Sequence, residues 1–413
     1  MKFCVFHLKN KLLSQIRKVG ENMEKSMGKK EIVPLLFQYE NGNLVDNNMF
    51  GYYPDQIMPL VDELNDFLED ESWCKTIEFV KSTLFPYEVK YNNEIENYMD
   101  PITLVKDFRP GFVVPQDGAL TQQQQRIINL SRGYSYILQG KPITTPNLAK
   151  LYEILSAKIL DSKESLLAGQ IYRHDEVDIY TSSIITAPPE QGVKSENVKP
   201  MMENLLEFAN EPINPENMVD TFIRSQILHY QFVYIHPYFD INGRTARTTG
   251  LWYLINNNAF PFTLFNRAIH HDKSAYYRVI KETKKFRNAT YFLKYMLNNV
   301  AGELEKEFII KHIQDSITSE LSVEDRQILQ YMLSNKSLDS ARDLTAFYNH
   351  FNPKRNSQQI FTSMIEPLVD KNVIKITGYG KKRPDNAFLS LNSRVINNNP
   401  AKIKRLDLDK KCS

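Results

Sequence analysis

The chain has 413 residues, enough for two or three domains and a large core. Hydrophobic residues make up 42% and charged residues 24%, and no apolar run approaches the roughly 18 residues of a membrane span, which excludes a disordered or membrane-spanning class. The net charge of +2 excludes the global basic field of a protein that coats nucleic acid. Cys4, Cys74 and Cys412 are odd in number, scattered and without metal spacing, which points to a reducing, cytoplasmic setting.

In chain order, residues 1–30 read as a basic tail. Its apolar stretch is too short for a signal peptide. Residues 31–118 read as an N-terminal helical region. Ile57, Leu60, Val61, Leu64 and Phe67 recur at helical spacing, and a second helix is expected from Trp73 to Leu84. Pro110, Gly111, Pro115 and Gly118 mark a loop. A core over 119–306 follows. Helices are expected over Gln122 to Leu138 and Thr145 to Leu160, the second with Thr145 as cap and Pro146 at its first position. Val177 to Ala187 is an extended, β-branched stretch closed by Pro188 and Pro189. Helices over Pro200 to Ala209, Asn217 to His236 and Ala289 to Lys306 complete the core. Residues 307–320 read as a linker and 396–413 as a disordered polar tail.

The core is organised around His236-Pro237-Tyr238-Phe239-Asp240-Ile241-Asn242-Gly243-Arg244-Thr245-Ala246-Arg247. Pro237 disfavours helix at the residue before it, so the helix through Ile227 and Tyr234 should end near His236. A new helix should start near Asn242 and Gly243. Its first amides have no partner within the helix, and its dipole is positive there, so this end is an anion site. Arg244 and Arg247 lie three apart and share a face; their planar forks suit phosphate. Asp240 is a hard oxygen ligand suited to Mg²⁺ carried by a polyphosphate. His236 has an unperturbed pKa near neutrality and can accept a proton. These are the parts needed to move a phosphorus-containing group.

The stretch resembles the signature of Fic proteins, His-Pro-Phe-x-Asp/Glu-Gly-Asn-Gly-Arg-x-x-Arg. Tyr238 replaces Phe, and Ile241 stands where the signature has Gly. If that position has positive φ, a β-branched residue there is strained. The resemblance covers residues 90 to 300. It implies a mostly α-helical Fic core with a short β-hairpin flap before Pro188, which offers its backbone to an extended target segment. It implies transfer of AMP from ATP, with Mg²⁺, to a Ser, Thr or Tyr hydroxyl of a protein substrate, the chain itself included. His236 would be the base and Asp240 the metal ligand. Asn242 and the amides near Gly243 would hold the α- and β-phosphates, and Arg244 and Arg247 the outer phosphates. Tyr276 and Tyr277 are candidates for lining the adenine pocket, with core packing an equal reading for each. His270 and His271 read as surface or capping residues.

Many Fic proteins carry an inhibitory motif, Ser/Thr-x-x-x-Glu-Gly/Asn. Glu96 and Asn97 match its end, and Asn92 stands where Ser or Thr is expected. The resemblance implies that Glu96 pairs with Arg247 in the place of the γ-phosphate. Ser135, Gln139 and Gly140 form a rival match that has lost the carboxylate, so Glu96 is preferred. Family members also include enzymes that remove AMP or transfer other phosphate groups; that alternative stays open, as does a homodimer of this chain.

Residues 321–395 read as three helices, Val323 to Leu333, Asp339 to Tyr348 and Ser357 to Asp370, then strands Val373 to Thr377 and Ala387 to Leu391. That is a winged-helix-like pattern. Lys354, Arg355, Lys381, Lys382 and Arg383 would gather near its third helix and wing tip, facing DNA or a protein partner. A DNA-bound regulator with a weak catalytic core is the reading from another functional class.

Overall fold

A computed structural model describes residues 33–40, 43–69, 71–83, 87–96, 120–161, 163–179, 190–214, 216–334, 339–340, 344–345, 356–377 and 388–392. The terminal tails, Asn97, the 111–118 loop, the flap tip and the five basic residues of the C-terminal unit lie outside them. The described residues are mostly α-helical.

The N-terminal region opens with strands, correcting the helical expectation. β1 (Val33–Glu40) and β2 (Asn43–Tyr52) pair antiparallel, with Glu40 opposite Asn43. The sequence between them is Asn41-Gly42, the pair favoured in two-residue hairpin turns, so the signal was present. Helices α1 (Met58–Glu69), α2 (Ile77–Thr83) and α3 (Val89–Ile95) follow. Short 3₁₀ turns, Pro54–Gln56 and Trp73–Lys75, precede α1 and α2.

The core contains α4 (Gln122–Ile137), α5 (Thr145–Ser156), α6 (Ser195–Ala209), α7 (Met218–Ile235) and α8 (Asn242–Asn256). Thr145 is the first residue of α5, and Thr144 occupies the cap position without a side-chain bond. The flap base is β3 (Asp178–Ile179) paired antiparallel with β4 (Glu190–Gln191). Asn217 caps α7 by accepting from the Asp220 N–H at 2.9 Å. α7 and α8 pack closely because Gly250 has no side chain: a Cβ there would lie 3.3 Å from Phe265 and 3.4 Å from Ser225. Ser225 Oγ donates to the Gly250 carbonyl at 3.0 Å across this seam.

After a 3₁₀ turn (Phe260–Leu264) come α9 (Phe265–His271), α10 (Lys273–Phe286) and α11 (Thr290–Ser316). α11 corrects the linker expected over 307–320. It has 27 residues, about 40 Å at 1.5 Å per residue. Its first part is buried in the main core, while Ile310 and Ile313 join a second hydrophobic cluster that runs to Leu389. Apolar residues on both sides of 307 explain why the helix does not stop there.

The second cluster holds α12 (Val323–Ser334), α13 (Ser357–Ile360), a π turn (Phe361–Ile365) and α14 (Glu366–Asp370). β5 (Asp339–Ser340), β6 (Ile374–Thr377) and β7 (Phe388–Leu391) form an antiparallel sheet in the order β5-β7-β6. β5 thus opens a segment expected to be helical.

Candidate active site

α7 ends at Ile235, and His236 turns the chain in the left-handed region with φ 53°. The turn closes at Ile241, φ 65° and ψ 14°, also left-handed. A β-branched residue pays about 1–2 kcal/mol for that conformation. Burial offsets it: Ile241 is 3% exposed and joins the main core. Its carbonyl accepts from the Thr245 N–H at 3.0 Å and from Thr245 Oγ1 at 2.8 Å.

Asn242 closes the turn from within. Its Oδ1 accepts from the Tyr238 N–H at 2.9 Å, and its Nδ2 donates to the Tyr238 carbonyl at 2.8 Å. This side chain is engaged with the loop through its oxygen and one of its two Nδ2 hydrogens. Arg173, assigned no role from sequence, is a second brace. Its N–H donates to the Pro237 carbonyl (2.9 Å), and Nε to the His236 carbonyl (2.8 Å). Nη1 donates to the Asp175 carbonyl (2.7 Å), and Nη2 to the Val193 carbonyl beside the flap base. No motif marks such a residue, because its work is done on backbone carbonyls. Tyr238 lies in an aromatic stack, its ring centroid 3.6 Å from that of Tyr152 with planes 8° apart.

His236 Nδ1 faces the Val233 carbonyl at 3.3 Å. A proton on Nδ1 leaves Nε2 as the basic nitrogen. Burial pushes the His236 pKa down to about 4, and the charge of Arg173 adds to this against the opposing effects of Val233, Asp240 and Glu96. The imidazole is therefore neutral, able to accept a proton, over the physiological range. Asp240 is exposed at the mouth of the turn.

Glu96 reaches the start of α8. Arg247 Nη2 and Glu96 Oε1 are 2.6 Å apart, with Arg247 1% and Glu96 30% exposed in the side chain. A Cβ added at Gly243 would collide with Glu96 Oε1, so the carboxylate lies where only glycine leaves room, against the first turn of α8. Burial alone would raise the Glu96 pKa. The charge and hydrogen bond of Arg247, with Arg244 and His236 behind, outweigh it and hold the carboxyl below its ordinary range. Arg244 is itself buried.

Asn92 completes the contact. Arg247 Nε donates to Asn92 Oδ1 (2.8 Å) and Nη2 to the Asn92 carbonyl (3.1 Å). Asn92 Nδ2 donates to the Tyr134 hydroxyl at 2.9 Å. The Asn92 amide thus accepts from Arg247 and donates to Tyr134 at once. The rival Ser135 instead bonds back to the Ser131 carbonyl within α4.

Tyr276 is a core residue, 1% exposed, with its hydroxyl 2.9 Å from His229 Nε2. Burial lowers the His229 pKa to about 3, aided by the charge of Arg247. Tyr277 is half-buried, and its hydroxyl donates to the Ile95 carbonyl at 3.3 Å, next to Glu96. His270 and His271 each meet a glutamate: Glu94 at 2.9 Å and Glu303 at 3.2 Å. Among the described residues no helix is long and apolar enough to cross a membrane.

Residues 142–254 match the sequence model of the Fic/DOC family, so the chain carries a Fic/DOC-family domain. Such proteins generally transfer AMP or other phosphate groups to proteins, and they typically bind nucleotide substrates. Solved structures similar to this chain include a Fic family protein from Desulfovibrio desulfuricans G20, at 19% identity and TM-score 0.48, covering 81% of this chain and 95% of that one. Fic-1 (residues 134–508) from C. elegans is 18% identical with TM-score 0.46, covering 62% and 72%. A Fic domain containing signaling protein from Bacteroides thetaiotaomicron VPI-5482 is 16% identical with TM-score 0.41, covering 60% and 96%.

Proposed function

We propose that this chain is a protein adenylyltransferase restrained by its own Glu96. The observation that carries the reading is the Glu96 carboxylate seated against Gly243 and paired with Arg247. An anion already occupies the start of α8, where the helix dipole, free amides and arginines favour one. A phosphate of ATP has the charge and hydrogen-bonding capacity to take its place.

In this reading His236 Nε2 takes the proton from a Ser, Thr or Tyr hydroxyl of a protein. The oxygen attacks the α-phosphorus of ATP, the bond to the bridging oxygen breaks, and pyrophosphate leaves with that electron pair. The depressed His236 pKa suits a base that must be neutral before reaction. The amides of Asn242 and Gly243 hold phosphate oxygens, and Arg244 and Arg247 neutralise the outer phosphates. Exposed Asp240 fits as a ligand for Mg²⁺, since that ion needs only one or two carboxylates beside the phosphates. Bound Mg²⁺ would offset the charge of the leaving pyrophosphate. Glu96 restrains the reaction because it and the γ-phosphate compete for Arg247.

The test is self-labelling with ATP and Mg²⁺, read by intact mass, for the native chain, Glu96→Gly, and Glu96→Gly with His236→Ala. One added AMP in the single variant and none in the double is expected. An unlabelled Glu96→Gly chain, or equal labelling in the double variant, would overturn the reading.

A further inference from the structure

The segment that ends in Glu96 is gripped along its length by α9 and the start of α10. The Arg267 N–H donates to Glu88 Oε1 at 3.4 Å. The Tyr91 ring lies 4.8 Å from the His270 ring, and His270 Nε2 lies 2.9 Å from Glu94 Oε2. The last carbonyls of a helix have no partner within it. Here Lys273 Nζ takes the Glu94 carbonyl at 3.2 Å and the Tyr277 hydroxyl takes the Ile95 carbonyl at 3.3 Å.

α9 is in turn fixed by Arg267, whose Nε is 2.6 Å from Glu303 Oε2 and whose Nη1 is 2.6 Å from Glu307 Oε1. Both glutamates belong to α11. Glu307 is shared: Gln330 Nε2 donates to its Oε1 at 2.9 Å, and Arg326 Nη1 lies 3.8 Å from its Oε2. Gln330 and Arg326 stand on α12, the first helix of the C-terminal unit. Glu307 is 4% and Gln330 5% exposed, so water is a poor substitute for either partner. If α12 moves, Glu307 must re-pair, and Arg267 is the cation already bonded to it.

We propose that the C-terminal unit sets the strength of the Glu96 contact. Glu307 and Arg267 are positioning residues that pass the placement of α12 to α9, and α9 passes it to the segment bearing Glu96. The inference rests on the reading of Glu96 as the restraint.

The experiment uses the full chain carrying Arg326→Gln with Gln330→Leu, substitutions outside the site. Two quantities are followed: amide hydrogen exchange of residues 87–96 beside that of 242–256, and self-labelling as above. Exchange should rise over 87–96 and not over 242–256. Labelling should rise by about fivefold or more, the lower end of common coupling strengths. With Glu96→Gly also present, the α12 pair should add nothing further, an outcome that a merely structural role does not produce. Unchanged exchange and labelling, or the same increment in both backgrounds, would overturn the inference. If Glu96→Gly itself stays unlabelled, the reading of Glu96 fails, and exchange over 87–96 alone decides whether α12 is coupled. Should the pair abolish the cooperative thermal transition, Arg326→Gln alone, at a residue 31% exposed in its side chain, gives the same two readouts on a smaller scale.

Discussion

Two buried arginines lie beside the segment that carries Glu96, and they are paired differently. Arg267 sits between Glu303 and Glu307, whose side chains are 3% and 5% exposed. Both carboxylates stand on the long helix α11, and neither has a way out. Arg247 faces one carboxylate, Glu96, which is 30% exposed at the end of a short helix. Removing Arg267 would leave two carboxylates shut away from water, whereas losing the Glu96 charge leaves Arg247 buried but still bonded twice to Asn92. The same chemistry therefore makes a fixed joint at Arg267 and an exchangeable one at Arg247. The exposure of the carboxylate sets the difference, since both arginines are equally buried.

The largest effect should come at the fixed joint. Arg267→Met takes the buried cation from both carboxylates, leaving Glu303 to Lys306 and His271 and Glu307 to Gln330 and Arg326, and should lower stability by about 3 kcal/mol. Glu96→Gln should lower it by about 1 kcal/mol, because Arg247 keeps both bonds to Asn92. Denaturation of the two variants side by side measures the contrast. Equal losses would remove the distinction between the joints.

The next effect concerns pH at the base beside the exchangeable joint. Burial pushes the His236 pKa down to about 4, well below the ordinary histidine value. A folded-state pKa below the unfolded one means that stability falls as pH drops from the unfolded value toward 4. It also means that the base remains unprotonated over that interval. Self-labelling by Glu96→Gly, followed against pH, should hold to about pH 5 and fall near 4. A midpoint near 6.5 would show an imidazole in contact with water. Glu96, held below its ordinary range by Arg247, keeps its pairing until pH falls through its lowered folded value.

A smaller effect tests the turn that presents Arg247. Ile241→Gly restores the residue of the Fic signature and relieves about 1–2 kcal/mol of left-handed strain. It also removes a buried side chain, a change that commonly loses about 2–5 kcal/mol. Burial should win, giving a net loss of about 1–3 kcal/mol by denaturation. A net gain would mean that the strain at φ 65° outweighs the packing.

The helices of the core were legible because their apolar residues repeat at helical spacing, and the ends of α7 and α8 because Pro237 and the Asn242-Gly243 pair punctuate them. The juxtaposition of Glu96 with Arg247 was legible only through the resemblance, since no local pattern joins residues so far apart in sequence. The hairpin β1–β2 is signalled by Asn41-Gly42 alone, since the residues of its strands do not alternate strictly between apolar and polar. The expected linker over 307–320 is helix to Ser316, because Glu303 and Glu307 face Arg267 in the interior and hold that stretch of α11 in place. Arg173 left no trace in the sequence, because its partners are backbone carbonyls.

The smallest effect lies at the other departure from the signature. Tyr238 is 0% exposed, and its hydroxyl has no hydrogen-bond partner among the described residues. Its ring stacks on Tyr152 and needs no hydroxyl to do so. A buried, unpaired hydroxyl carries a desolvation penalty that Phe avoids at nearly the same shape. Tyr238→Phe should therefore stabilise the chain by about 1 kcal/mol, seen as a raised thermal midpoint, with the labelling rate of Glu96→Gly unchanged. A lowered midpoint would mean that the hydroxyl is satisfied by an ordered water between Tyr152 and Tyr172. The aromatic stack would then be a polar part of the turn that presents His236, not an apolar one.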